Sequence, residues 1–277
     1  MKITCNGLSS PGRMWRTVAS GILLLLISTS PARAQQKLIQ FQHIDPATSF
    51  ATQSILAVTQ DEQGFLWFAS LYGGVARYDG YEFKIYQHDP GDPNSLPTNE
   101  IHSLYADKNG VLWIGTAEGL VLLDTKSDRI TVFRHEAGNP QSLSHSGVAP
   151  ILRDSQGILW VGTENGLNRQ EPGANDFTYY PLNFENSDPN IVTPAQWVWS
   201  LFEDSAGNLW IGTLGGGLLL YDRASDSFTR FLNDPENPES LPHNVVRDIT
   251  EDHFGHLWVA TTNGIGRLED TKSARFA

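Results

Sequence analysis

The stretch GFLWFAS, Gly64–Ser70, places a tryptophan among apolar residues, just after a glycine and before two small residues. The chain of 277 residues contains four more copies of this pattern: GVLWIGT, GILWVGT, GNLWIGT and GHLWVAT. The tryptophans of the five copies are separated by 46, 47, 50 and 48 residues: Trp67, Trp113, Trp160, Trp210 and Trp258. A regular period of this size is typical of repeat architectures.

Each copy lies in a longer unit whose features keep the same order. An apolar run leads into Asp-x-x-Gly, the tryptophan segment follows, and a glycine turn leads into two further short segments. Short segments rich in β-branched and aromatic residues, bounded by Gly and Asp, are typical of strands. Four antiparallel strands per unit make one blade of a β-propeller. We therefore predict an all-β fold, a β-propeller of four-stranded antiparallel blades with about five blades present.

The predicted blades lie near residues 54–87, 100–134, 147–180, 197–231 and 245–277. The N-terminal segment IQFQHIDP is similar to the fourth strand and linker of the first unit, and the last unit stops where its fourth strand is expected to begin. A strand at 37–43 is therefore expected to complete the last blade, which would remove an exposed sheet edge. Two arrangements stay open: a closed ring of five blades, or a truncated arc of a larger ring.

The tryptophans are interpreted as architectural. Small residues after each of them would let neighbouring blades approach closely, while the indole fills the space between two sheets. In Asp-x-x-Gly, the carboxylate is expected to accept backbone N–H bonds and the glycine to take a positive φ. A calcium loop would have a denser acidic spacing, so no metal site is predicted.

The first 34 residues have the features of a secretory signal. Lys2, Arg13 and Arg16 precede an apolar stretch from Val18 to Ile27, and Ala32-Arg33-Ala34 fits a cleavage site. The apolar stretch is shorter than the ~20 residues of a membrane-spanning helix, although an uncleaved anchor stays the alternative. We expect residues 1–34 to be a signal peptide and residues 35–277 to be periplasmic.

The charge and the cysteine content of the exported part exclude several function classes. Removing residues 1–34 takes away four basic residues and no acidic one, so the net charge falls from -12 to -16. Nucleic-acid binding is not expected of so acidic a chain. Cys5, the only cysteine, leaves with the signal, so the exported part has no disulfide and no thiolate ligand. No cofactor is predicted.

The candidate ligand site follows from positions that vary between the units. In a propeller, the first strand of each blade lines the central channel. Positions six and three before the Asp of Asp-x-x-Gly are apolar in every copy and are expected to hold the frame. Positions seven and five differ, and because side chains two apart share a face, each pair is expected to point toward the channel. Five candidates follow: Glu100, His102, Trp197, Trp199 and Arg247.

Aromatic faces with a few polar groups suit a carbohydrate, and a Glu and an Arg supply directional hydrogen bonds. Tyr72, at the tip of the turn before Gly73, is a sixth candidate. In the alternative interpretation, Trp197 and Trp199 plug the channel, and His102 and Tyr72 are ordinary surface residues. No catalytic residue is predicted.

The repeat resembles the two-component regulator propeller repeat over residues 36–277. The matching motifs are D-x-x-G-x-L-W-[IV]-G-T in DEQGFLWFASLYGGVARYDGY and DKNGVLWIGTAEGLVLLD, and the linker NPESLPHN at Asn237 to Asn244. In that family, the repeats form the exported sensor region of hybrid histidine kinases, often as seven-bladed propellers that recognise oligosaccharides. The chain departs from that pattern in having five repeats and neither a membrane span after them nor a kinase motif, so it would meet the membrane only through a missing C-terminal part.

The resemblance implies a periplasmic ligand-sensing module that binds an oligosaccharide or another small molecule without catalysis. An exported propeller lyase or hydrolase is the alternative, although the sequence contains no Gly-x-Ser-x-Gly elbow. A third interpretation is a non-functional fragment of a larger sensor kinase, in which an incomplete ring exposes a tryptophan-lined face. The sequence leaves a homodimer open.

Overall fold

The computed structural model describes residue 50, residues 54–183 and residues 196–277. These residues contain five four-stranded antiparallel sheets, all within one compact unit. In each sheet, four strands consecutive in the chain are hydrogen-bonded in chain order. The predicted β-propeller of four-stranded blades is therefore confirmed.

The strands of each blade have the following bounds. Blade 1 contains β1 (Ile55–Gln60), β2 (Leu66–Ser70), β3 (Gly74–Tyr78) and β4 (Phe83–Tyr86). Blade 2 contains β5 (Ile101–Asp107), β6 (Val111–Thr116), β7 (Gly119–Asp124) and β8 (Arg129–Phe133). Blade 3 contains β9 (Val148–Arg153), β10 (Leu159–Thr163), β11 (Gly166–Gln170) and β12 (Thr178–Tyr180). Blade 4 contains β13 (Val198–Glu203), β14 (Leu209–Thr213), β15 (Leu218–Asp222) and β16 (Ser227–Phe231). Blade 5 contains β17 (Val246–Glu251), β18 (Leu257–Thr261), β19 (Gly264–Asp270) and β20 (Arg275–Phe276).

The Asp-x-x-Gly segment forms the turn between the first and second strands of each blade. In blade 3, Asp154 Oδ1 accepts the backbone N–H groups of Gln156 and Ile158 at 3.0 and 2.9 Å. The turn glycine has a φ of 80° to 89° in all five copies, a region that favours glycine. The second carboxylate oxygen accepts the indole N–H of the tryptophan six residues later, at 2.8 to 3.0 Å in every blade. The sequence predicts the backbone bonds but not this indole bond, which ties the turn to the next strand.

Buried indoles fill the spaces between successive blades. The tryptophans of blades 1 to 4 are at most 3% exposed, and each belongs to an apolar cluster that includes the first strand of the next blade. The small residue that follows allows this approach, because a Cβ added to Gly162 would lie 2.6 Å from Val198 Cγ1 of blade 4. The architectural interpretation is confirmed for these four tryptophans.

The linkers after blades 1, 2 and 4 each have a leucine that enters the same clusters. Leu96, Leu143 and Leu241 are at most 1% exposed. The serine before each leucine accepts a backbone N–H bond from the start of its own linker; in the first linker, Asp89 N donates to Ser95 Oγ at 2.9 Å. These three linkers therefore have a fixed shape, which positions blades 2, 3 and 5 relative to the blade before.

The first and last blades do not pack on each other in the described part of the chain. The first strands contact one another in the order β1, β5, β9, β13, β17, and β17 has no comparable contact with β1. Ile55 and Val58 are 42% and 57% exposed, so the expectation that they hold the frame like their counterparts is wrong for blade 1. Trp258 of blade 5 is only half-buried. The described blades therefore form an arc rather than a closed ring of five.

The outer position of the fifth sheet is held by β20, which pairs with β19. The sequence predicts a strand at 37–43 for this position, and that segment lies outside the described residues, as does the expected signal peptide at 1–34. Residues 275–276 therefore form a fourth strand in blade 5, where the sequence predicts only that such a strand is about to begin.

Candidate functional site

A β-bulge interrupts the first strand of every blade at the same place. The pairing between the first and second strands shifts register there in all five sheets. The inserted position is the fifth before the Asp of Asp-x-x-Gly: Leu56, His102, Ala149, Trp199 and Arg247. A bulge re-aims the side chain of its extra residue. In blades 2 to 5, the bulge also explains why the apolar positions six and three before the Asp both face the preceding blade, although they are an odd number of residues apart.

The variable positions of all five blades lie at one end of the first strands, which we call the upper opening. There, a backbone hydrogen bond joins each turn after a second strand to the start of the first strand. The residue after the second strand donates its N–H to the backbone oxygen of the seventh residue before the Asp of Asp-x-x-Gly. Ala117 donates in this way to Glu100 at 3.2 Å, and Leu214 donates to Trp197 at 2.9 Å. The upper opening is therefore formed by the starts of the first strands and by the turns after the second strands.

Three of the candidates form a group on blades 4 and 5. The ring centroids of Trp197 and Trp199 are 5.4 Å apart with an interplanar angle of 54°. The guanidinium carbon of Arg247 lies 4.6 Å from the centroid of the Trp199 ring, within the range of a cation–π contact. Trp199 is 36% exposed. The group therefore presents aromatic surface and a cation at the upper opening.

Two other candidates form a pair on blade 2. His102 Nδ1 lies 3.0 Å from the backbone oxygen of Val148, and its Nε2 lies 3.3 Å from Glu100 Oε1. Both of these oxygens are hydrogen-bond acceptors, and a ring N–H can donate to either of them. The Glu100 side chain is 40% exposed, which leaves its carboxylate accessible from the upper opening.

Blade 3 contributes residues that the sequence analysis missed. Its two variable positions are the small residues Gly147 and Ala149, and Glu164 from the turn between β10 and β11 occupies the free space. A Cβ added to Gly147 would lie 2.7 Å from Glu164 Oε1. His145 lies beside them, with Nδ1 4.0 Å from Glu164 Oε2. The signal in the sequence was the glycine itself, because a missing side chain at a variable position leaves room for a group from the adjacent turn.

Tyr72 lies on the turn between β2 and β3 and is 62% exposed. Within the described residues, it has no hydrogen bond, ion pair or ring contact with the other five candidates. The structure therefore brings together Trp197, Trp199 and Arg247, and separately Glu100 and His102, and leaves Tyr72 apart.

A cavity of about 580 Å³ lies at the opposite end of the first strands, between blades 1 to 4. Two of its carboxylates are paired across blades: Arg153 Nε lies 2.6 Å from Asp107 Oδ2, and Arg223 Nη1, from the turn after β15 of blade 4, lies 2.9 Å from Asp154 Oδ2. We interpret these pairs as links between blades.

In the part of the chain that the structure describes, no three His, Cys, Asp or Glu side chains are placed to hold a metal ion. The same part has no helix with the length and apolar character needed to cross a membrane.

Four segments of the chain match the family model described as two component regulator propeller. They comprise residues 95–118, 142–165, 194–215 and 240–263. The segments fall at the starts of blades 2 to 5, and three of them begin in the linker and contain its buried leucine.

The chain is similar to histidine kinase P4 of Formosa agariphila, with 36% identity over 248 residues that make up 89% of this chain and 18% of the kinase. It is also similar to the extracellular domain of a hybrid two-component system from B. thetaiotaomicron, with a TM-score of 0.68, 28% identity, and coverage of 81% of this chain and 30% of that one. The chain is also similar in structure to virginiamycin B lyase from Staphylococcus aureus, with 18% identity, a TM-score of 0.59, and coverage of 81% of this chain and 69% of the lyase chain. This similarity shows the fold alone. The chain spans less than a third of the first two proteins.

Proposed function

The chain belongs to the two-component regulator propeller family, and on that premise we propose that it is an extracellular ligand-sensing module without catalysis of its own. The ligand is an oligosaccharide, bound at the upper opening. The observation that carries this proposal is the bulge found in all five first strands, which presents residues that differ between blades on a frame that does not. The similarity to an extracellular domain of a two-component system supports it.

The chemistry of the upper opening suits a sugar. The apolar C–H face of a sugar ring packs on an indole, and Trp199, which is 36% exposed, presents aromatic surface with Trp197 beside it. Sugar hydroxyls donate hydrogen bonds to carboxylates, and the accessible carboxylate of Glu100 is such an acceptor. A ligand that spans blades 2 to 5 therefore finds aromatic contact on one side and polar acceptors on the other.

Binding is tested by isothermal titration of the purified chain with a panel of neutral and acidic oligosaccharides. We expect a saturable heat of binding, and we expect the double substitution Trp197→Ala and Trp199→Ala to weaken it at least tenfold, which corresponds to about 1.4 kcal/mol. Tyr81→Ala is the matched control, because Tyr81 is a 93% exposed aromatic residue on an outer turn of blade 1. Binding that survives the double substitution would remove the upper opening as the site.

The same titrations separate sensing from catalysis. Chromatography of the mixture after each titration should recover the oligosaccharide unchanged. New reducing ends or unsaturated sugars would instead make the chain a propeller hydrolase or lyase, which is the alternative function.

We also propose that the module is exported to the periplasm and acts in front of a histidine kinase, as the similarity to a histidine kinase suggests. Export is tested by fusing alkaline phosphatase, which is active only outside the cytoplasm, behind the full chain and behind residues 35–277. Activity is expected from the first fusion only. Equal activity from both fusions, or none from the first, would contradict export through residues 1–34.

A further inference from the structure

We propose that the oligosaccharide has a single anionic group, a carboxylate or a sulfate ester on one sugar, and that Arg247 binds this group beside Trp199. The inference rests on the proposed function, because it concerns the same upper opening. It adds the charge class of the ligand and the residue that recognises it.

The charged side chains at the upper opening have different kinds of partner. The carboxylate of Glu100 has the imidazole of His102 at 3.3 Å, and the carboxylate of Glu164 has that of His145 at 4.0 Å. Arg247 has instead the aromatic ring of Trp199, and in the described part of the chain no Asp or Glu lies within ion-pair distance of it. Among the described residues, each of these carboxylates therefore lies beside an imidazole, whereas the guanidinium of Arg247 has no anionic partner.

A second stacked arginine on the same blade shows the contrast. Arg267 lies over the ring of Trp258, at 5.7 Å from its centroid, and also pairs with the carboxylate of Glu269. Arg267 therefore has both an indole and a carboxylate as partners, whereas Arg247 has an indole and, among the described residues, no carboxylate. In a chain with 31 acidic and 19 basic residues, an arginine without a carboxylate partner is a group that an anionic ligand can neutralise.

The position of Arg247 over the indole of Trp199 suits this role. The guanidinium carries five N–H donors, and two of them at one edge match the two oxygens of a carboxylate or sulfate. Arg247 is exposed at the bulge of β17, so this edge is accessible. The sugar ring that bears the anionic group then lies beside Trp199.

The carboxylates on the opposite side of the upper opening limit the number of anionic groups that a bound ligand can have. Glu100 and Glu164 lie on blades 2 and 3, and they would repel a second anionic group while accepting bonds from hydroxyls. The ligand is therefore oriented, with its anionic group toward blade 5 and its hydroxyls toward blades 2 and 3. A polyanion is disfavoured.

The test uses matched saccharides that differ by one charge. The probes are xylotetraose with and without one 4-O-methylglucuronate branch, neocarrabiose with and without one 4-sulfate, and a heparin hexasaccharide as the polyanion. Each is titrated into the full chain and into its Arg247→Gln, Arg247→Lys and Arg267→Gln variants. Arg267→Gln is the matched control, since it also removes an arginine of blade 5 that lies over a tryptophan ring.

We expect the anionic member of at least one pair to bind about tenfold more tightly than its neutral counterpart. Arg247→Gln should remove this preference, Arg247→Lys should keep part of it, and Arg267→Gln should keep all of it. The pair that shows the preference identifies the group as a uronate or a sulfate ester. The heparin hexasaccharide should bind more weakly than the preferred ligand.

Two results would overturn the inference and leave the proposed function in place: equal affinity within both pairs, or a preference that survives Arg247→Gln. Tightest binding of heparin would overturn the single-charge part. If neither these saccharides nor the wider panel bind the chain, the proposed function itself fails, and the inference fails with it.

Discussion

Replacing Trp160 or Trp258 by alanine removes the same side chain from two blades but removes different contacts. Trp160 is fully buried between blades 3 and 4, where its ring meets Tyr221 of blade 4 edge-on at 5.0 Å. Trp258 is half-buried, and no blade covers it in the described part of the chain. Both indoles donate to the Asp of their own turn, at 2.8 and 2.9 Å. The pair of variants therefore isolates the contact between blades.

The burial of the two rings sets the expected losses. Truncation of a fully buried Trp to Ala costs about 3–5 kcal/mol of unfolding free energy. For the half-buried Trp258 we expect about half of this, ~1.5–2.5 kcal/mol. Both variants also lose the indole hydrogen bond, and this loss is larger at the buried carboxylate of Asp154 than at that of Asp252, which is 24% exposed, so it adds to the difference in the same direction. The difference between them should therefore be about 2 kcal/mol.

The measurement is urea unfolding followed by far-UV circular dichroism, because eight tryptophans would complicate fluorescence. Since single domains are stable by only about 5–15 kcal/mol, Trp160→Phe provides a milder variant if Trp160→Ala does not fold. Equal losses for the two alanine variants, or a larger loss for Trp258→Ala, would refute the idea that the indoles stabilise the protein by filling the space between blades.

Two further predictions concern the same framework. Gly162→Ala should lower the unfolding free energy by about 1–3 kcal/mol, because its Cβ would lie 2.5 Å from Pro150 Cγ and 2.6 Å from Val198 Cγ1; an unchanged melting temperature would contradict the close approach of blades 3 and 4. The pKa of Asp226 is held below its ordinary value of 3.8, chiefly because the Tyr221 hydroxyl donates a hydrogen bond to its carboxylate at 2.6 Å. The ionised form of Asp226 therefore stabilises the fold above pH 3.8, and this stabilisation is lost as the pH falls below 3.8. Asp226→Asn should therefore be less stable than the parent chain at pH 7, with a deficit that shrinks in melts below pH 3.8; a deficit independent of pH would contradict this.

The blade pattern could be predicted because the residues that each blade requires lie within its own repeat unit. The turn glycines need a positive φ, the Asp side chains accept backbone N–H groups, and the residues after each Trp must be small for the next blade to approach. These requirements are local or involve only the next unit, so they recur at a fixed period in the sequence.

The ends of the arc could not be predicted in this way. Ile55 and Val58 are apolar like their counterparts in blades 2 to 5, and Trp258 has the same sequence surroundings as the other four tryptophans. Whether such residues are covered depends on which blade lies against them, and the repeat pattern contains no information about that.

The candidate site was predictable in part. Side chains two apart point the same way, and Trp197 with Trp199 and Glu100 with His102 do lie together. The bulge had a signal in the sequence, since apolar positions three apart share one face of a strand only if a residue is inserted between them. Glu164 comes from another part of its blade, and only the structure places it over Gly147. That these residues bind a ligand stays a prediction.

The most direct test of the account is a crystal structure of the chain with the oligosaccharide that it binds most tightly. We expect the sugar at the upper opening, with a ring against Trp199 and its anionic group on Arg247. A sugar found instead in the cavity at the opposite end of the first strands, against Tyr105 and Arg153, would contradict the claim that the bulged residues form the recognition site.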